Sequence, residues 1–194
     1  MRTLTAADLL PLEEYARERA AFRQRAIEHR RARQLAIGEH CTWSFEDRFT
    51  IQYQVQEMLR SERIFEAAGI AEELSVYNPL IPDGSNLKAT LLIEYAEPAE
   101  RARQLKELRG FERHCWMRVA GHAAVLAIAD EDLERDNQEK TSAVHFLRFE
   151  FTPPMIAALA AGAALAAGVN HPKYDFRVDP IPDALRKLLL LDFQ

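Results

Sequence analysis

Leu87-Lys88-Ala89-Thr90-Leu91-Leu92-Ile93-Glu94-Tyr95 is the stretch whose reading decides the fold. Successive side chains of a strand point to opposite faces. Leu87, Ala89, Leu91, Ile93 and Tyr95 therefore make one apolar side, while Lys88, Thr90, Leu92 and Glu94 make the other. The same period recurs upstream, where Cys41, Trp43 and Phe45 alternate with His40, Thr42, Ser44 and Glu46. That strand follows a turn at Gly38-Glu39, which joins it to a shorter one. Downstream, residues 142–151 place Ala143, His145, Leu147, Phe149 and Phe151 on one face. Residues 114–120 and 123–129 read as a hairpin through Gly121-His122, with Cys115, Met117, Val119, Leu126 and Ile128 sharing a side. A further strand ends at Val169.

Helical patterning flanks these strands. Leu12, Tyr15, Phe22 and Ala26 form a stripe over about residues 12–33, with Pro11 placed for a first turn. A second helix is predicted over about 48–67, with Ile51, Val55, Met58, Leu59 and Phe65 facing the core. A shorter one reaches Tyr77 before Asn78-Pro79, and Pro82-Asp83-Gly84 is a turn. Pro98 opens a charged helix that ends near Arg109-Gly110. Another runs from Pro153 to Gly162, and a last one carries Leu188-Leu189-Leu190-Leu191, which must bury against the home core or a second subunit in a homo-oligomer. The order predicts an α+β fold in one domain over 1–194, an antiparallel or mixed sheet with helices packed mainly on one face.

Composition narrows the function classes. The 194 residues are 48% hydrophobic and 28% charged, enough for a sizeable core. A net charge of −5 argues against a nucleic-acid binder, which needs a basic face to neutralise phosphates. Arg17, Arg19, Arg23, Arg25, Arg30, Arg31 and Arg33 crowd one segment, as a solvated helix face or as a strip for an acidic partner. The longest apolar run, Met155 to Val169, is Ala-rich and too short to span a bilayer. The acidic residue at Asp8 interrupts any secretory signal, so cytoplasm is expected. Cys41 and Cys115 fall on apolar strand faces, as buried thiols or a single disulfide.

No phosphate loop, dinucleotide fingerprint, zinc-helix or nucleophile-elbow motif is present, and the histidines stand singly. The informative signal is polarity on apolar faces. Glu62 lies in the stripe of the second helix and His145 on the inner side of the late strand, where an unpaired charge is costly. Were the two faces to pack together, Glu62 and His145 would form either a structural pair or an acid/base pair, with Arg60 or Arg63 holding an anion. Tyr53, Gln56, Glu57 and Arg60 share the neighbouring stripe as a ligand-gripping surface or an ordinary ion-paired one. The loops 78–88 and 136–142 add Asn78, Asp83, Asn86, Asn137, Lys140 and Ser142. Residues 170–174, with His171 and Tyr174, read as a surface turn.

Three segments, Arg48 to Arg60, Asn78 to Gly84 and Glu139 to Phe146, resemble a bacterial family known as domain of unknown function 3501. The similarity covers nearly the whole chain and implies one domain; it offers no catalytic residues to carry over. Members of that family are often encoded beside rubrerythrin-like and iron–sulfur oxidoreductase proteins. The resemblance therefore implies an accessory protein of a redox or oxidative-stress system, without a cofactor of its own and with an iron–sulfur or rubrerythrin-like partner. Two cysteines cannot themselves ligate a four-cysteine cluster. The alternatives are an enzyme using Glu62 and His145 on a small anionic substrate, and a metal-binding protein using His145 with carboxylates.

Overall fold

The computed structural model of the protein describes residues 2–131 and 140–194. Its elements are α1 (Leu12–Ala32), β1 (Gln34–Ala36), β2 (Cys41–Phe45), α2 (Arg48–Glu62), α3 (Ala67–Tyr77), β3 (Asn86–Ile93) and α4 (Pro98–Glu107). Then come β4 (Cys115–Val119), β5 (Val125–Leu126), β6 (Ile128–Ala129), β7 (Val144–Glu150), α5 (Pro153–Ala160), β8 (Leu165–His171), β9 (Tyr174–Val178) and α6 (Asp183–Leu189). The class is α+β, and every strand pairing is antiparallel.

The strands divide into two sheets, of order β1-β2-β3-β7-β6 and β5-β4-β8-β9. Residues 125–129 cross from one to the other. Leu126 pairs with Trp116 of β4, the amide of Ala127 bonds the carbonyl of Cys115, and Ile128 pairs with Arg148 of β7. The main core lies between the sheets. Trp43, Phe45, Leu87, Leu91, Leu147 and Phe149 from the first meet Cys115, Met117, Leu165, Ala167 and Val169 from the second. Leu105 of α4, Leu159 of α5 and Leu185 and Leu189 of α6 close its margins. Thus the leucine-rich C-terminus packs into the home core, apart from Leu191, which is exposed.

Helices α1 to α3 form a second layer on the other side of the first sheet, with a smaller cluster of their own around Leu4, Ile51, Val55, Leu59, Leu74 and Ile81. Polar contacts join this layer to the sheet. Asp47 caps α2 by accepting from the amides of Phe49 and Thr50 at 3.0 and 2.9 Å, and the Thr50 hydroxyl accepts from the Asp47 amide at 2.9 Å. Buried Glu46 accepts from the hydroxyls of Thr50 and Thr90, both at 2.6 Å, and so staples helix to strand. Beside it, buried Arg33 at the end of α1 bonds the Phe45 carbonyl at 3.1 Å and pairs with buried Asp192. Burial pushes the Asp192 carboxyl up to about 6, against the pull of Arg33. Chain end, first helix and first sheet thereby share one buried ion pair.

Several local expectations are revised. Helix α2 stops at Glu62 because Arg63 turns left-handed, at φ 56°, and Gly69 falls inside α3 rather than ending α2. Phe65 lies past that break and is exposed. Leu126 and Ile128 are exposed too. The observed register sets Leu126 opposite Trp116, hence on the outer side, and not with Cys115 and Met117. Cys41 and Cys115 are both free, buried thiols. The expected surface turn at 170–174 is the tip of the β8–β9 hairpin. His171 and Tyr174 are buried there, and the Tyr174 hydroxyl donates to the Ile37 carbonyl at 2.7 Å and accepts from the His40 amide at 3.0 Å. Among the described residues, no helix is long and apolar enough to cross a membrane.

Gly168 of β8 sits under the Trp116 ring. A Cβ there would lie 2.5 Å from Trp116 Cζ2 and 2.9 Å from the Phe176 carbonyl oxygen, and backbone cannot yield as a flexible side chain can. We expect Gly168→Ala to lower stability by about 1–3 kcal/mol in a urea titration; an unchanged midpoint would contradict this packing.

Candidate ligand cleft

The outer side of the first sheet is covered by helices only in part. Where the α2–α3 layer leaves it, a cleft of about 750 Å³ opens. Val76, Tyr77, Pro79 and Leu80 form its helical wall, and Ile128, Phe146, Lys88 and Arg148 its sheet wall. The strand period explains the charges: Lys88 and Arg148 point away from the core because Leu87, Ala89, Leu147 and Phe149 point into it. The two are directly opposite across β3 and β7, which puts their side chains side by side.

Each cation is held. Lys88 Nζ donates to the carbonyl of Pro79 and, at 2.9 Å, to that of Ile81. Arg148 donates from Nε and Nη2 to the two carboxylate oxygens of Glu131, both at 2.6 Å, and from Nη1 to Glu150. This fork holds the Glu131 carboxyl below its ordinary value. Burial in the cleft wall pushes the Lys88 ammonium below the usual lysine value, opposed by the charge of Asp83 and reinforced by that of Arg148.

His145 is fully buried, on the inner face and opposite Leu91. Its Nδ1 meets Asp130 Oδ2 at 2.6 Å, and its Nε2 lies 2.8 Å from the Thr141 hydroxyl and 3.1 Å from the Ser142 carbonyl. Hydroxyl, imidazole and carboxylate stand in the sequence of a nucleophile relay, yet Thr141 is itself buried, so no substrate reaches its oxygen. The imidazole instead ties Asp130, just past β6, to Thr141, just before β7. Asp130 also accepts from the Phe146 amide at 3.0 Å, in a backbone conformation with φ 52°. Its neighbour in the chain is Glu131, the carboxylate that takes the Arg148 fork in the cleft.

The expected pairing of Glu62 with His145 does not form. Glu62 ends α2 and is exposed, and the first sheet stands between that helix and the inward imidazole. Periodicity puts Glu62 on the stripe that includes buried Leu59, but the helix ends there and the carboxylate is exposed. Arg60 and Arg63 are exposed as well; Arg60 lies 3.7 Å from Glu57. The neighbouring stripe meets the N-terminal segment and α1. Fully buried Gln56 clasps the backbone of Leu10, accepting at 2.6 Å and donating at 3.3 Å. Glu57 accepts from Tyr15 at 2.7 Å and from both ends of the Arg19 fork at 2.8 and 2.7 Å, clamping α1 to α2. Tyr53 stacks on Phe22, with ring centroids 6.1 Å apart. Asn78 clasps the Leu4 backbone, while Asp83 and Asn86 shape their own turn. Lys140 is exposed, and Asn137 and Glu139 lie outside the described residues.

Arg19 and Arg33 are engaged in these structural pairs, while Arg17, Arg23, Arg25 and Arg31 are exposed at positions spread round α1 rather than along one face. Among the described residues, no group of three or more histidine, cysteine, aspartate or glutamate side chains is arranged to hold a metal ion. The cleft cations were missed because each is an ordinary polar residue on a half-solvated strand; the signal available was only that Lys88 and Arg148 share the outer side of neighbouring strands.

Fold and cleft together define an α+β protein of two antiparallel sheets, with a helical layer that leaves a partly apolar, charged recess on one outer face. The chain belongs to a family described as protein of unknown function (DUF3501), whose profile matches residues 3–193. It is similar to a crystal structure from Burkholderia pseudomallei, titled a novel protein of unknown function. The two share 49% identity over the full length of both chains, with a TM-score of 0.93. No curated protein matches.

Two expectations test these assignments. His145→Ala should cost about 2–4 kcal/mol in urea unfolding, because it empties buried volume and strips Asp130 and Thr141 of their common partner; a loss below about 0.5 kcal/mol would place the imidazole outside the network. The Arg19 fork, with the Tyr15 hydroxyl, holds the Glu57 carboxyl down to about 2. An acid depressed on folding stabilises above its unfolded value and loses that contribution as pH falls through its folded one. The stability gap between wild type and Glu57→Gln should therefore be constant above about pH 5 and shrink toward pH 2. A gap that widens on acidification would reverse the assignment.

Proposed function

We propose that this protein binds a small organic acid with an apolar body in the cleft between α2–α3 and the outer face of β3–β7. The observation that carries the reading is the pairing of Lys88 with Arg148 on one wall of a recess whose apolar lining includes Val76, Pro79, Leu80, Ile128 and Phe146, and whose carboxylates, Glu46 and Glu131, are already engaged by Thr50 and Thr90 and by Arg148. A volume of about 750 Å³ lies within the range of small-molecule sites, which combine apolar walls with a few placed polar groups. Arg148 has five N–H donors, three of them engaged by Glu131 and Glu150. The remainder suit a carboxylate.

This keeps the small anionic ligand of the enzyme reading and moves its site from His145, on the inner face of the sheet, and from the exposed end of α2 at Glu62 to the recess on the outer face. The accessory role in a redox system, beside an iron–sulfur or rubrerythrin-like partner, is supported by the family resemblance alone. An occupant of the cleft would suit either kind of protein.

The test is a fluorescence titration with anilinonaphthalene sulfonate, an aromatic anion. Saturable binding of one dye per chain is expected, with octanoate competing. Val76→Trp, which fills the mouth from an exposed position, should abolish it, and Arg148→Met should weaken it about tenfold or more, the worth of a charge-assisted hydrogen bond. Dye uptake unaffected by either substitution would refute the cleft as the site.

A further inference from the structure

We propose that Lys88 is a carbonyl-reactive amine and that the cleft takes an oxo acid, whose carboxylate lies on Arg148 while its carbonyl carbon meets Lys88 Nζ. The inference rests on the cleft reading above and adds the reacting atom and the ligand class. Three observations carry it.

The first is register. Lys88 and Arg148 are partners across β3 and β7, so amine and guanidinium are adjacent on one wall. Adjacent cationic groups of these two kinds match a ligand that carries a carboxylate one or two bonds from a ketone or aldehyde.

The second is the geometry of the nitrogen. The carbonyl oxygens of Pro79 and Ile81 take two N–H bonds of Lys88. A neutral primary amine has two N–H bonds and one lone pair. With both N–H bonds held by the backbone, the remaining valence of the nitrogen is left for a ligand. A lysine serving only as a surface charge would need no such double tether.

The third is environment. Lys88 is one of five lysines in the chain, and the other four, Lys106, Lys140, Lys173 and Lys187, are exposed, whereas Lys88 is half-buried. Desolvation favours the free amine there, the form that attacks carbonyls.

The chemistry balances without oxidant or reductant. The lone pair of Nζ forms a bond to the carbonyl carbon as the carbon–oxygen π pair moves onto oxygen. Proton transfer from nitrogen to oxygen gives a carbinolamine. Its carbon–oxygen bond then breaks, one water leaves, and a carbon–nitrogen double bond links the ligand to Lys88. Arg148 touches the carboxylate throughout and acts in orientation.

Phenylpyruvate, an oxo acid with an aromatic body, is the probe. The wild-type protein is incubated with it and with cyanoborohydride, which reduces an imine to a stable amine, and labelled lysines are located by peptide mass mapping. Lys88 should be labelled at least about tenfold faster than any of the four exposed lysines, since a charge-assisted hydrogen bond from Arg148 to the ligand's carboxylate is worth about that factor in occupancy. Arg148→Met should erase this preference while the exposed lysines label as before, which serves as the internal control. Labelling of Lys88 no faster than of Lys106 or Lys173 would overturn the proposal, as would a preference that survives Arg148→Met. If the wild-type protein takes up the dye of the previous section yet shows no preference at Lys88, the cleft stands and the amine chemistry falls. If dye uptake fails as well, the reading beneath it fails first.

Discussion

The pairing of β3 with β7 is the constraint on which the rest of the molecule depends. In that register Leu87 meets Phe149, Ala89 meets Leu147 and Leu91 meets His145 on the inner face, while Lys88 meets Arg148 on the outer one. Strand period admits no compromise between faces: a slip of one residue would turn the charged pair into the core and expose the leucines. The two central strands therefore build the inter-sheet core and the cleft wall in one act, and the hydrophobic burial on one side is what holds the cations in place on the other.

The two polar layers about these strands solve different problems. On the helical side, Glu46, Thr50 and Thr90 satisfy one another, and Arg33 with Asp192 closes the chain end against β2. Such buried groups are tolerated because each has partners; removing one member of a buried pair leaves an uncompensated charge. On the inner side, the imidazole of His145 meets the same requirement with Asp130 and Thr141. Asp130 is followed in the chain by Glu131, whose carboxylate takes the Arg148 fork.

The cleft follows from incomplete coverage. Helix α2 is stapled to the sheet at its N-terminal end through Asp47, Thr50 and Glu46, and α3 returns as a separate helix after the left-handed turn at Arg63. Between these helices and the strands lies a recess walled by apolar side chains, where charged groups are partly desolvated and their interactions strengthened. Membership of a family without an assigned activity leaves the chemistry of this recess as the guide to function.

Much of the fold could be read from residue order. Two-residue alternation in 41–45, 87–93 and 144–150 dictates half-buried strands, and the stripes Tyr15, Phe22, Ala26 and Ile51, Val55, Leu59 dictate the inward faces of α1 and α2, because these periods are properties of the local backbone. The polarity of His145 at a core position was legible for the same reason. Its partner was not. Asp130 lies 15 residues away on a different strand end, and only packing decides which carboxylate reaches a buried imidazole. Likewise, division into two sheets, the outward turn of Leu126, the burial of Tyr174 and the meeting of Lys88 with Arg148 depend on which strands become neighbours. Local periodicity says which side a residue faces; tertiary structure alone says what stands opposite, since that is set by the burial of the whole chain at once.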